Sequence, residues 1–203
     1  MARHPSGRAE IVTRRRLGAL GLTLATILIL TRMRPAAGAD EAVWQALRTP
    51  GVVVLLRHST APGTFDPPDA RLDDCATQRN LDAKGRAQAQ RIGEAFRQRG
   101  IAVDMVLSSP RCRCLDTARL AFGKVEAWEP LHGAPKDSED RNRQLADIRQ
   151  RIEGHRTGPP LVLVTHGSVI TGVTGRHLRM GEFLVLQPAA DGRHAVAGQL
   201  FVD

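Results

Sequence analysis

Apolar runs alternate with amphipathic segments along most of this chain. Gly51–Leu56 and Pro160–Thr165 contain no charged residue and are rich in Val and Leu, a composition typical of strands that are covered on both faces. Between Asp82 and Gly100, apolar residues recur at helical spacing while Arg and Gln fill the other positions. This pattern predicts an amphipathic helix that Asp82 caps and Gly100 ends.

The same patterns predict the other elements of residues 40–203. They are a short first helix at 40–47, a strand at 101–107, a helix at about 111–122, a short strand near Val125, a helix at 139–153, a short helix from His166 to Thr174, and strands at 182–187 and 195–202. Residues 59–80 are rich in Pro, Asp, Thr and Arg and predict a long loop, a feature that is commonly functional in a compact domain. Strands that alternate with helices predict an α/β fold of three layers, α/β/α, around a mostly parallel central sheet.

The first 39 residues have the composition of an export signal. Three consecutive arginines, at 14–16, precede an uncharged run of fifteen residues at 17–31, which is shorter than the roughly 20 residues of a membrane span. Ala37-Gly38-Ala39 fits a cleavage site for a secretory signal. We therefore predict a cleaved, twin-arginine-like signal, with Asp40 as the mature N-terminus and a periplasmic or otherwise exported domain. The alternative is an uncleaved signal that anchors the domain to the membrane.

The strongly basic charge belongs mainly to this leader. The chain has a net charge of +8, and residues 1–39, with seven Arg and one acidic residue, account for +6 of it. The remaining residues are nearly balanced, and the chain has no Tyr for base stacking. The composition therefore argues against nucleic acid as a partner.

Export would place the three cysteines in an oxidising compartment. One disulfide can then form, between Cys75 and either Cys112 or Cys114, which leaves one thiol over. A simple packing role for all three is an equal alternative. Cys112 and Cys114 are a weak signal for zinc, because a structural zinc site needs four ligands.

Both apolar runs end in histidine. Arg57-His58 follows the first, and His166 follows the second. In open α/β sheets, ligands bind beyond the carboxyl ends of the strands. Both imidazoles should therefore face one crevice, with the helix that carries Arg113 at its border.

Three motifs resemble those of the histidine phosphatase superfamily, which includes phosphoglycerate mutases and acid phosphatases. Leu56-Arg57-His58 resembles its Arg-His signature, the segment 108–118 resembles its second motif, and the segment 164–167 resembles the third, which carries the second catalytic histidine. The register of the second motif selects Arg113 over Arg111 for the phosphate pocket. The resemblance covers residues 42–203 and implies a phosphoglycerate mutase-like fold.

The resemblance also implies a mechanism. His58 would attack phosphorus and form a phosphohistidine intermediate, while Arg57, Arg113 and His166 would bind the phosphate of a small phosphorylated substrate. No metal and no cofactor is expected, and the sequence has no HExxH motif. Residues 57–63 are similar to the exported branch that removes phosphate from lipopolysaccharide core heptose.

One part of the family pattern is missing. The family usually supplies a carboxylic acid that protonates the leaving oxygen, but one register places Gly133 at that position. Glu129 and Asp137 are the candidate acids nearby, and His132 is a third. A site without an acid suits good leaving groups, such as phosphohistidine or an acyl phosphate. It also leaves open a second function, a phospho-ligand binding module without turnover, and a third, a structural protein of the envelope.

Overall fold

The computed structural model describes residues 35–202, so nearly all of the predicted export signal lies outside the described part of the chain. The first helix, α1, spans Pro35–Ala46 and begins five residues before the predicted start. It includes the predicted cleavage sequence at 37–39, and cleavage remains a prediction. Within residues 35–202, no helix has the length and apolar character to cross a bilayer.

The other elements follow the predicted order. They are β1 (Val53–Arg57), a 3-10 turn (Cys75–Thr77), α2 (Ala83–Gln98), β2 (Met105–Ser108), α3 (Cys112–Phe122), β3 (Glu126–Ala127), a second 3-10 turn (Glu129–Leu131), α4 (Ser138–Glu153), β4 (Leu161–Thr165), α5 (Gly167–Thr174), β5 (Glu182–Pro188) and β6 (His194–Phe201). The side chain of Asp82 caps α2 by accepting a hydrogen bond from the Gly85 amide, at 2.7 Å, as the sequence predicts.

The prediction of a strand over 101–107 is wrong in its first half. Gly100 has a φ of +63°, and the Ile101 amide donates to the carbonyl of Phe96 at 3.0 Å. Residue 101 therefore closes the C-terminus of α2. Its amide is used in this cap and does not donate to a neighbouring strand. The strand β2 begins only at Met105.

The six strands form one sheet in the order β3-β2-β4-β1-β5-β6. The first four strands of this order pair in parallel, and β5 and β6 join in antiparallel pairing. The sheet is thus mostly parallel, as predicted. A parallel arrangement places the carboxyl ends of β1, β2 and β4 at one edge.

Alternate residues of β1 pack into two separate cores. Val54 and Leu56 contribute to a core with α1, α2 and α3, whereas Val53 and Leu55 contribute to a core with α4 and α5. Helices therefore cover both faces, which confirms the three-layer α/β/α prediction. Burial on both faces explains why the strands read as unbroken apolar runs.

The register of the two central strands sets the site. Arg57 of β1 pairs with Thr165 of β4, and the His58 amide donates to the Thr165 carbonyl at 3.0 Å. His58 and His166 are therefore the first residues beyond two adjacent, aligned strand ends.

Candidate active site

The two predicted catalytic histidines lie side by side. Their ring centroids are 5.5 Å apart, with the planes at 65°. His58 is 2% exposed and His166 is 7% exposed. Two buried imidazoles at one sheet edge are the centre of the site.

The surroundings of His58 determine its tautomer. Its Nδ1 lies 2.8 Å from the carbonyl oxygen of Ser59, and a carbonyl can only accept, so Nδ1 carries the proton. Burial lowers the pKa of His58 to about 3, and the positive charges of Arg113, Arg79 and Arg57 lower it too, while the hydrogen bond to Ser59 works in the other direction. At neutral pH the ring is therefore uncharged, and its Nε2 has a free lone pair.

His166 is held in the opposite tautomer. Its Nδ1 faces Nη2 of Arg113 at 3.4 Å, and its Nε2 faces the hydroxyl of Ser109 at 2.8 Å. Because a guanidinium only donates, Nδ1 must accept and Nε2–H donates to Ser109. Burial, followed by the charge of Arg113, lowers the pKa of His166 well below 6.5. The neutral form is thus favoured here, and a bound anion would counter this by favouring the protonated ring.

The two predicted pocket arginines flank these rings. Nη1 of Arg57 donates to the carbonyl of Leu178 at 2.6 Å. A Cβ on Gly167 would lie 3.3 Å from the guanidinium of Arg57, so glycine leaves room for this group beside the start of α5. The Arg113 side chain is buried, and it donates from Nη1 to both oxygens of Asp66, at 2.9 and 3.0 Å. The structure therefore brings together all four predicted residues.

Asp66 comes from the long loop at 59–80, which the sequence marks as functional without indicating which of its residues matter. Its carboxylate also accepts from the amide of Arg79 at 2.9 Å and lies 3.8 Å from Nε of Arg111. Asp66 and Arg79 are thus site residues that sequence reasoning missed, and loop length and composition are their only sequence signal. Arg111, which the register of the second motif set aside in favour of Arg113, lies beside them.

A disulfide fastens this loop to the site. It joins Cys75 to Cys112 at the start of α3, with the Cα atoms 5.7 Å apart. Cys114 is free and buried, and its Sγ lies 3.7 Å from Nε2 of His166. Burial raises the pKa of the Cys114 thiol to about 12, so it remains protonated near the second histidine.

The candidate acids lie differently. Asp137 caps α4 by accepting from the amides of Glu139 and Asp140, both through its Oδ1. Glu129 is exposed and lies 3.9 Å from Nδ1 of His132. Within residues 35–202, neither carboxylate forms a hydrogen bond or ion pair with His58 or His166.

His132 lies near the second histidine, because its charge contributes, after burial and the charges of Arg113 and His58, to the lowered pKa of His166. It follows Leu131, whose carbonyl accepts from the Thr165 hydroxyl at 2.6 Å, next to His166. Its pKa is lowered, mainly by burial and then by the charge of Arg111. Over the same described range, no group of three His, Cys, Asp or Glu side chains is arranged to hold a metal ion, and metal independence remains a prediction.

Comparison with known families and solved structures shows what part of the chain and its fold are similar to. Residues 53–136 match the histidine phosphatase superfamily (branch 1). The six-stranded sheet with helices on both faces is the histidine phosphatase fold. The chain is therefore similar to that superfamily over residues 53–136 and shares its fold.

Solved structures of similar fold include several phosphatases. A phosphoserine phosphatase mutant (H9A) from Entamoeba histolytica, in complex with phosphoserine, has 15% identity and a TM-score of 0.55, over 73% of this chain and 95% of that one. The protein histidine phosphatase SixA complexed with tungstate has 12% identity and a TM-score of 0.55, over 74% and 96%. The alpha-ribazole phosphatase from Shigella flexneri has 14% identity and a TM-score of 0.55, over 71% and 94%. Comparison with curated proteins gave no match.

Proposed function

We propose that this protein is a metal-independent phosphatase that acts through a phosphohistidine at His58. The observation that carries the proposal is the convergence of two neutral imidazoles and two guanidinium groups at one sheet edge. An anion between these groups would meet fixed donors inside a largely buried site, where such interactions are strongest.

The chemistry requires two displacements. Nε2 of His58 attacks phosphorus, an N–P bond forms, and the bond to the leaving oxygen breaks with its electron pair going to that oxygen. Water then attacks the phosphohistidine, which releases inorganic phosphate and restores His58. Arg57 and Arg113 would hold the phosphoryl oxygens through both steps, because planar guanidinium groups match their geometry.

We further propose that the substrate is a small phosphomonoester or a phosphohistidine met outside the cytoplasm. The absence of a carboxylate in contact with the histidines, among residues 35–202, favours substrates whose leaving groups need little protonation. The composition of residues 1–39 supports the location outside the cytoplasm. The similarity of residues 57–63 to the exported heptose phosphatases supports the phosphorylated heptose of lipopolysaccharide as one candidate phosphomonoester substrate.

A binding module without turnover is the second candidate function. The missing carboxylate favours this function. The ion pair between Asp66 and Arg113, at 2.9 Å, favours it too, because it engages a guanidinium group that catalysis would need. Under this alternative the pocket would bind phosphate, but His58 would never form a covalent intermediate.

Hydrolysis of para-nitrophenyl phosphate in EDTA separates the two functions, because its leaving group hardly needs an acid. We expect the wild type to turn over and His58→Ala to lose at least ~10³-fold in kcat. His155→Ala is the matched control, because His155 lies between α4 and β4 and its ring forms a hydrogen bond with the Pro159 carbonyl. It should keep wild-type activity.

Rapid quenching with labelled substrate should trap phosphate on His58. A label on another residue would contradict the mechanism, and so would activity that is lost in EDTA and restored by zinc. Phosphate binding without any turnover would favour the binding module.

A further inference from the structure

Two half-buried guanidinium groups at the site form no ion pair with a carboxylate within residues 35–202. Arg57 donates to the Leu178 carbonyl, and Arg79 donates to the carbonyls of Ala61 and Gly63 at 2.8 and 3.2 Å. The Nε of each is buried and donates no hydrogen bond within residues 35–202. A positive charge that is withdrawn from water without a counterion is costly, so both groups favour a bound anion.

Arg79 lies against the groups that surround His58. Its guanidinium contacts the backbone three residues beyond His58, and its amide donates to the same Asp66 oxygen that accepts from Arg113, each at 2.9 Å. Its carbonyl lies 3.5 Å from Nη1 of Arg113. The charge of Arg79 also lowers the pKa of His58 more than that of Arg57 does, which agrees with a position near the ring.

The charges of this cluster do not balance. Within residues 35–202, the carboxylate that pairs with this cluster is that of Asp66, which lies 2.9 Å from Nη1 of Arg113 and 3.8 Å from Nε of Arg111. Four guanidinium groups against one carboxylate leave an excess of three positive charges. A phosphate monoester carries close to two negative charges near neutral pH, so a dianionic phosphoryl group would offset most of this excess.

We propose that Arg79 is a third guanidinium ligand of the phosphoryl group, supplied by the loop at 59–80. This inference rests on the proposed function for the identity of the anion. It assigns to the pocket a residue that lies outside the three sequence motifs. It also explains why the loop is covalently fastened, since the Cys75–Cys112 disulfide lies within the segment that presents Arg79.

Arg79 could instead serve only to hold the Ala61 and Gly63 carbonyls. Binding of inorganic phosphate to the His58→Ala protein, measured by calorimetry, distinguishes these roles without turnover. We expect Arg79→Gln to weaken phosphate binding by about tenfold or more, the loss expected for one charge-assisted hydrogen bond. Arg71→Gln is the matched control, because Arg71 lies on the same loop, is exposed and pairs with Asp73 and Asp74; its phosphate affinity should not change.

Arg79→Lys keeps a donor for the two carbonyls and a positive charge, but it loses the planar fork. It should fold like the His58→Ala parent and bind phosphate more weakly. If Arg79→Gln does not fold, this variant tests whether Arg79 binds phosphate. Phosphate affinity within twofold of the parent in a folded Arg79 variant would overturn the proposal, even if its melting temperature falls. If the parent binds phosphate and loses affinity on Arg79 substitution, but the wild type shows no turnover, the proposed function fails while this inference stands.

Discussion

The two histidines have identical side chains, but their hydrogen-bond partners place the ring proton on different nitrogens. This difference underlies the different roles that we propose for them. The Ser59 carbonyl places the proton of His58 on Nδ1 and leaves Nε2 free to attack. Arg113 and Ser109 impose the opposite tautomer on His166. The choice of His58 as the proposed nucleophile therefore rests on one backbone carbonyl, because residue type alone does not distinguish the two rings.

The lowered pKa of His58 predicts a pH-dependent stability. In the unfolded chain this histidine gains a proton below pH 6.5, whereas in the folded protein it does so only near pH 3. Stability is therefore complete above pH 6.5 and falls as the pH drops towards 3, by roughly 1 kcal/mol per pH unit from this residue. Urea unfolding at pH 7.5, 6.5, 5.5 and 4.5, chosen to span roughly this window, measures the slope.

His58→Gln should make that slope shallower, and His155→Gln should change it less. Burial dominates the lowering at His58, which is 2% exposed. Equal slopes for the wild type and His58→Gln would show that the imidazole titrates alike in the folded and unfolded states.

Close backbone approach between elements positions the loop that follows β1. A Cβ atom on Gly85 of α2 would lie 1.9 Å from the carbonyl oxygen of Thr60. A Cβ atom on Gly93 of the same helix would lie 2.0 Å from the carbonyl oxygen of Ala121 in α3. These glycines let α2 contact the His58 loop on one side and α3 on another. The Ser59 amide donates to the Thr117 hydroxyl at 3.0 Å, which links the same loop to α3.

The disulfide should stabilise both the fold and the site. It closes a segment of 37 residues, for which the expected stabilisation is ~2–4 kcal/mol. We expect the double variant Cys75→Ser/Cys112→Ser to lose stability of this order and to bind phosphate more weakly, because Asp66 and Arg79 are no longer fastened to α3. Denaturant unfolding and phosphate calorimetry measure the two effects.

A reducing agent provides the control for this experiment. It should lower the stability of the wild type to that of the double variant, and it should leave the double variant unchanged. A similar loss in both proteins would mean that reduction acts elsewhere in the molecule.

At the scale of the whole molecule, charge separates a basic leader from a nearly neutral domain. Of the net charge of +8, the first 39 residues carry +6. In the described domain, four arginines, Arg57, Arg79, Arg111 and Arg113, lie around one carboxylate at one sheet edge. We propose that the charge of the first 39 residues serves export and that the arginines of the domain bind an anion.

The twin-arginine hypothesis predicts that the leader is sensitive to a change that conserves charge. Replacing Arg14 and Arg15 by Lys in the full chain should abolish export, because that route recognises paired arginines and not charge alone. Cell fractionation with detection of the protein measures the outcome. Arg32→Lys/Arg34→Lys is the control and should be exported normally; undiminished export of the Arg14/Arg15 variant would exclude the twin-arginine route.

Local patterns were sufficient for the layers of the fold and for the placement of Arg57, His58 and His166 at one sheet edge, whereas the choice of Arg113 came from the resemblance of the second motif to a known family. Buried strands show unbroken apolar runs, helices show a repeat of 3.6 residues, and residues that end neighbouring parallel strands must meet. The start of β2 was misplaced because Ile101 is apolar, yet its amide closes α2. Burial alone does not say whether a residue joins a sheet or ends a helix.

The sequence by itself determined the fold class and the convergence of Arg57, His58, Arg113 and His166. Only the tertiary structure decided that Asp66 and Arg79 reach this site, that Cys112 and not Cys114 bonds to Cys75, and which nitrogen of each imidazole is free. The reason is physical: periodicity records contacts within an element, whereas a loop's contacts depend on how distant segments pack. Cys112 and Cys114 are two residues apart on one helix, and so face different sides, and only the packed loop shows which side Cys75 approaches.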